Sequence, residues 1–174
     1  NTLYPRRRVI TGFSDLQTAA RFDHVAAEFE GSRRSLDGFK LADCIVLDVD
    51  NDHGQIVQPE QIAKDFPGVA HMIVFSRHDM QPKGSSPAVP RFHVYFPIKP
   101  TADRAEVEQL KRSVCAAFPY FDGNAIDAAR FLFGVESPRG FAVEGTLLLS
   151  DLFPCADEEG AESAAAALQE TPEG

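Results

Sequence analysis

The stretch CIVLDVDNDHG, residues 44–54, decides how the chain is read. Four apolar residues run directly into three aspartates spaced two apart, Asp48, Asp50 and Asp52. The run reads as a buried strand. Side chains alternate faces along a strand, so Asp48 and Asp50 share one face while Ile45, Leu47 and Val49 pack on the other. Two carboxylates side by side repel and lose hydration unless a cation offsets them. A divalent metal held by oxygen ligands is the usual solution. Asp52, between Asn51 and His53, reads as part of a turn and is left out of the pair. A calcium loop is excluded, because His53 and Pro59 stand where the sharp-turn glycine and the bidentate glutamate belong.

Working outward, the chain alternates helical and extended patterns. Residues 13–32 read as a helix with Ser14 as N-cap, an apolar stripe of Leu16, Ala19, Ala26 and Phe29, and Gly31 at its end. Residues 42–50 are the first strand, 59–68 a short helix, and 69–76 a second strand. A Gly/Pro/Ser-rich loop follows over 77–90. Residues 91–98 form a third strand closed by Pro97 and Pro100. Residues 101–118 form a helix capped by Thr101, with Val107, Leu110, Val114 and Phe118 on one face. Residues 121–134 read as a turn and a short helical or irregular piece, and 145–153 as a last strand. The helix-free link between the second and third strands predicts an antiparallel pair. The fold class is therefore α+β, with a mixed or antiparallel sheet and a few helices.

The 174 residues suffice for one domain with a core, and no apolar run approaches membrane-spanning length. Residues 1–153 are read as that domain, and 154–174 as an acidic, disordered tail or linker. Cys44, Cys115 and Cys155 lack zinc-ligand spacing, and a reducing, cytoplasmic setting is expected. The net charge of −9 argues against an anionic partner only until its distribution is read. Seven of the 26 acids lie in residues 151–174, which hold no base; the preceding residues carry 17 basic and 19 acidic groups. Arginines cluster at Arg6, Arg7 and Arg8 and at Arg33 and Arg34, so the body can carry basic patches that the whole-chain charge hides.

Two further sites carry chemistry. On strand alternation His93 shares a face with Arg91 and Tyr95, an arrangement suited to a phosphate or a nucleotide. A hairpin of the second and third strands would bring Ser76, Arg77, His78, Arg91 and His93 together. In the segment FDGNAIDAARFLFG, residues 121–134, Asp122 and Asp127 are further carboxylates. Arg130 follows Asp127 by three residues, and a metal-binding carboxylate beside an arginine is the pairing phosphoryl transfer needs. His24 and His71 read as packing or surface residues.

In this order the three sites resemble the archaeo-eukaryotic primase superfamily, in particular the primase-polymerase domains of phages and plasmids. The family's motifs are a DxD or DxE strand, an SxH histidine motif, and an aspartate after a hydrophobic residue. Here LDVD supplies Asp48 and Asp50, and AID supplies Asp127. The letters SxH occur at Ser76 and His78, but the apolar strand expected after the histidine follows His93, where Arg91 takes the serine position. The expectation therefore falls on His93, with Ser76, Arg77 and His78 lining the nucleotide site. The resemblance implies a catalytic sheet like that of RNA-recognition domains with a small N-terminal α/β unit. It implies template-directed nucleotidyl transfer from dNTPs or NTPs on single-stranded DNA. Asp48, Asp50 and Asp127 would be catalytic and would hold two Mg²⁺ or Mn²⁺ ions, while His93 and Arg130 bind the triphosphate. Arg33, Arg34 and Arg6 to Arg8 would contact the template. A monomer is implied, encoded by a mobile element, with a downstream helicase or priming domain in the same polypeptide.

Two other classes fit parts of the sequence. IVLDVD also resembles the nucleophile strand of haloacid-dehalogenase-like phosphatases, with Asp48 as covalent nucleophile. That fold needs parallel strands with helical crossovers, and the link from Ser76 to Arg91 contains no helix. The third class is a non-catalytic nucleotide- or DNA-binding module.

Overall fold

A computed structural model describes residues 2–154. Of the acidic tail expected from residue 154 onward, only Pro154 is among the described residues. The frame is a five-stranded sheet. In chain order its strands are β2 (Ala27–Phe29), β3 (Phe39–Val49), β4 (His71–Phe75), β5 (Phe92–Thr101) and β7 (Gly140–Val143). Their order across the sheet is β2-β3-β5-β4-β7, and every pairing between these strands is antiparallel. Helix α2 (Glu60–Asp65) joins β3 to β4, and α3 (Arg104–Ala117) follows β5. Strands β3 and β4 therefore run parallel to each other on either side of β5, with a helix in their connection, the split β-α-β arrangement. The antiparallel β4–β5 pair is as the sequence requires.

The apolar alternation of β3 and β5 builds two cores. Ile45, Leu47, Val49, Phe92, Val94 and Phe96 pack with Phe66, Val107, Leu110 and Val114 beneath α2 and α3. On the opposite face Val46, Val74 and Tyr95 pack with Leu16, Ala20 and Leu132. Asp48 and His93 have the parity of this second face.

Several local elements differ from the expectation. The helix expected over 13–32 is α1 (Phe13–Ala19) alone. Ser14 is not its cap: Gly12 holds that place, and Thr11 bonds Asp15 through both its backbone N–H and its hydroxyl. Beyond Ala20 the chain is captured by a distant segment. Val135 N–H donates to the Ala20 carbonyl and Gly134 N–H to the Asp23 carboxylate, while β1 (His24–Val25) pairs with β6 (Phe131–Leu132). β2 joins the edge of the main sheet, while β1 and β6 form a separate two-stranded sheet and α1 packs with Leu132 of β6 on the second face. Strand β5 runs through Pro97 and Pro100, because from Pro97 onward it pairs only with β3, through a bulge that tolerates the missing N–H groups. The helix after it is capped by Asp103, which accepts from Ala105 N–H; Thr101 is the last residue of β5.

The last strand is misplaced by the sequence. Residues 149–152 are a helical turn, α4 (Leu149–Leu152), and the edge strand is β7. It begins at Gly140, where a Cβ would lie 1.8 Å from the Ile73 carbonyl oxygen, so only glycine admits this approach. No helix among the described residues is long and apolar enough to cross a membrane.

Candidate nucleotide site

Asp48 sits opposite His93 in the β3–β5 ladder. Its Oδ1 is 2.6 Å from His93 Nδ1, and its Oδ2 accepts from Arg130 at 3.1 Å. Burial alone would raise the Asp48 pKa, but His93 and Arg130 outweigh it and hold the carboxyl below its ordinary value. The ionised carboxylate can only accept, so His93 carries its proton on Nδ1 and keeps Nε2 as its second polar atom.

Strand β3 ends at Val49, and the chain leaves it through Asp50. Asn51 takes a left-handed conformation, φ 53°. Its side chain bonds Val57 N–H, the Val57 carbonyl and the Pro90 carbonyl, fixing the turn. Asp52 leaves the Asp48 face, as the turn reading requires, and pairs with Arg91 at 3.3 Å and Lys83 at 3.6 Å. Asp50 has no pairing of that kind among the described residues. Burial raises its pKa; Lys83 pulls it down, and Asp48, Asp52 and Asp122 push it up again.

These residues open onto a cleft of about 320 Å³, within the size range of small-ligand sites. Asp48, Asp50, Ser76, Arg77, His78, Lys83, His93 and Arg130 line it, together with Phe131, Leu132 and Phe133. The hairpin of β4 and β5 thus brings Ser76, Arg77, His78 and His93 together as the sequence implies. Ser76 Oγ accepts from His78 N–H, and the Arg77 guanidinium lies 4.0 Å from the centre of the Phe133 ring.

Arg91 is corrected. It is fully buried, and its guanidinium donates to the carbonyls of His78 and Gln81 and to Asp52. Its backbone N–H donates to Asp79. Arg91 clamps the loop over 77–90 rather than facing a ligand. It precedes β5 by one residue, so strand alternation does not govern its direction.

The three-carboxylate set is also not assembled. Asp127 Oδ1 accepts from Ala129 N–H, and Asp127 is not among the cleft-lining residues. No group of three or more His, Cys, Asp or Glu side chains among the described residues is placed to hold a metal ion. Asp127 instead ends a segment tied down by Lys111, a buried α3 lysine that donates to the Asp127 and Ala125 carbonyls at 3.1 and 3.5 Å. The pair that remains fits a metal in a narrower sense. Mg²⁺ is commonly bound through one or two carboxylates with substrate phosphates completing its shell, and Asp50 is a desolvated carboxylate among other negative charges.

Of the expected template contacts, Arg34 does not line the cleft but donates to the Ala129 carbonyl and lies 4.8 Å from the centre of the ring of Phe131, which does. Arg6, Arg7, Arg8 and Arg33 do not line the cleft. Arg7 pairs with Glu28, Arg8 with Asp15, and Arg33 reaches Thr2. Sequence reasoning missed Lys83, Phe131, Phe133 and Lys111. The period-two pattern of Phe131-Leu132-Phe133 marks one buried and two outward positions and was the available signal; the loop lysine has none.

Comparison with protein-family models, with curated proteins and with solved structures found no match to this chain.

Proposed function

We propose that the protein is the catalytic domain of a primase-polymerase of the archaeo-eukaryotic type, transferring nucleotides from (d)NTPs on a single-stranded DNA template. One observation carries this reading: the Asp48–Asp50 pair opens onto the same cleft as Arg130, Lys83 and Arg77. Carboxylates and cations lining one cleft suit a metal-bound triphosphate. The antiparallel sheet with its β-α-β-β-α order supports it as well. The phosphatase reading loses its footing, because the sheet it needs is parallel and β3 has antiparallel neighbours on both sides.

Asp48 and Asp50 would hold Mg²⁺ or Mn²⁺ together with substrate phosphate oxygens, and the bound metal would lower the cost of charge on the triphosphate and the attacking 3′-hydroxyl. The remaining work falls to side chains. His93 orients Asp48 through Nδ1 and offers Nε2 to a phosphate oxygen. Arg130 is 39% exposed in its side chain, so it can exchange its contact with Asp48 for a phosphate. Such a guanidinium binds a phosphate through two parallel N–H groups. Lys83 and Arg77 add positive charge on the loop side.

The experiment is primer extension with labelled nucleotides and Mg²⁺ or Mn²⁺, beside an Asp48→Ala/Asp50→Ala double variant. Product from the native chain alone is the expected result. Equal product from both, or none from either, overturns the reading. Nucleotide binding without any turnover would leave the non-catalytic module standing.

A further inference from the structure

We propose that Phe133 is a stacking platform for the base of the nucleotide bound in the cleft, with Arg77 as a displaceable placeholder on the ring. This inference rests on the nucleotide reading above and adds the element that would recognise the base.

Phe133 is 48% exposed, yet its backbone is not free to withdraw it. Leu132 on one side is buried and paired with His24 in the β1–β6 ladder. Gly134 on the other side donates its N–H to Asp23, and a Cβ there would lie 2.6 Å from the Arg21 carbonyl oxygen. The Phe131 ring stands edge-to-face against Phe133, with centroids 4.8 Å apart. A phenyl ring is therefore held out at a cleft that Asp48, Asp50, Lys83 and Arg130 also line. A base has the flat π-face that such a ring accepts, and its phosphates have the charge that the cations accept.

Arg77 covers the Phe133 ring in this structure. An exposed cation–π contact is worth about 2- to 5-fold in an equilibrium constant. Stacking of a base on an aromatic side chain is worth about 5- to 150-fold. The base wins that competition, and the freed guanidinium stays at the cleft, where phosphate can take it.

The chain has no tryptophan, so Phe133→Trp places a single indole at the proposed platform. The probes are dGTP and tripolyphosphate, each with Mg²⁺, and a short oligothymidylate. We expect dGTP to quench the indole and tripolyphosphate not to. We also expect Phe133→Ala to weaken dGTP binding by about 10-fold while leaving tripolyphosphate within about 2-fold, with an unchanged melting temperature. Equal dGTP affinity in the native chain and Phe133→Ala, with Arg130→Ala weakening both ligands, overturns the platform and leaves the nucleotide reading intact. A native chain that binds neither dGTP nor tripolyphosphate overturns both. Weakened oligothymidylate binding with unchanged dGTP binding assigns the ring to the strand and overturns the proposal as stated.

Discussion

Asp48 and His93 face each other across the β3–β5 ladder with Oδ1 and Nδ1 2.6 Å apart, while Asp50, two residues on, lacks any such partner among the described residues. The two carboxylates of one motif therefore stand in opposite electrostatic states. Asp48 is held below its ordinary pKa by His93 and Arg130 against its burial, so its charge stabilises the fold. Asp50 is raised by burial and by neighbouring acids, so its charge costs stability at neutral pH. Asp48→Asn should lower the melting temperature at pH 7, by about 1–3 kcal/mol in stability, the worth of hydrogen bonds to a charged group. Asp50→Asn should raise it. Thermal unfolding of the two variants, side by side, checks the signs; a shift of the same sign in both would refute this account of the pair.

Arg91 closes the loop over 77–90 from within. Its side chain is 1% exposed and meets two carbonyls and Asp52. Arg91→Met keeps the length of the stem but leaves those carbonyls without their donor. It should cost about 3 kcal/mol. Because Ser76, Arg77, His78 and Lys83 border or belong to the same loop, nucleotide affinity should fall with it. Denaturant unfolding and dGTP titration measure the two effects. Loss of affinity without loss of stability would instead mark Arg91 as a ligand contact.

Strands β3, β4 and β5 were legible because short apolar runs bounded by turn residues are a strong local signal, and the carboxylates were legible because they end one such run. The helix over 13–32 was not. Leu16, Ala19, Ala26 and Phe29 match helical spacing, yet Leu16 serves one core from α1 and Phe29 packs edge-to-face on Phe39 at the sheet edge. The decision lay with Val135 and Gly134, more than a hundred residues away in sequence. The direction of Arg91 and the position of Asp127 outside the cleft lining are likewise set by loop closure, which no local pattern encodes.

His71 gives the fold a definite pH dependence. It is 2% exposed, with Nδ1 on the Val69 carbonyl and Nε2 buried without a partner among the described residues. Burial pulls its pKa below the ordinary value near 6.5. The unfolded chain then binds the proton more readily than the folded one. Its contribution is fully present above pH 6.5 and is lost as pH falls from there toward the folded value. His24, lowered by burial in the same direction, adds to this. Urea unfolding should show lower stability at pH 5.5 than at pH 7.5, and His71→Phe should flatten part of that difference. An unchanged slope in the variant would place the pH dependence elsewhere.

Lys111 is the anchor of the segment that carries Arg130. Lys111 is 4% exposed, and burial lowers its pKa although Asp127 and Asp48 pull the other way. A buried lysine is held against desolvation only by what it bonds, here the carbonyls of Ala125 and Asp127. The Asp127 carbonyl also accepts from Arg130 N–H, and the Asp127 carboxylate from Ala129 N–H. One ammonium therefore fixes the turn from which Arg130 reaches Asp48. Lys111→Met fills the same space without the charge, so the core should tolerate it while the turn loosens. Hydrogen exchange at the Ala129 and Arg130 amides should accelerate in the variant, and the Arg130-dependent part of triphosphate binding should weaken by about 10-fold, the worth of one charge-assisted contact. Protection at those two amides equal to the native chain would show that the turn stands without Lys111.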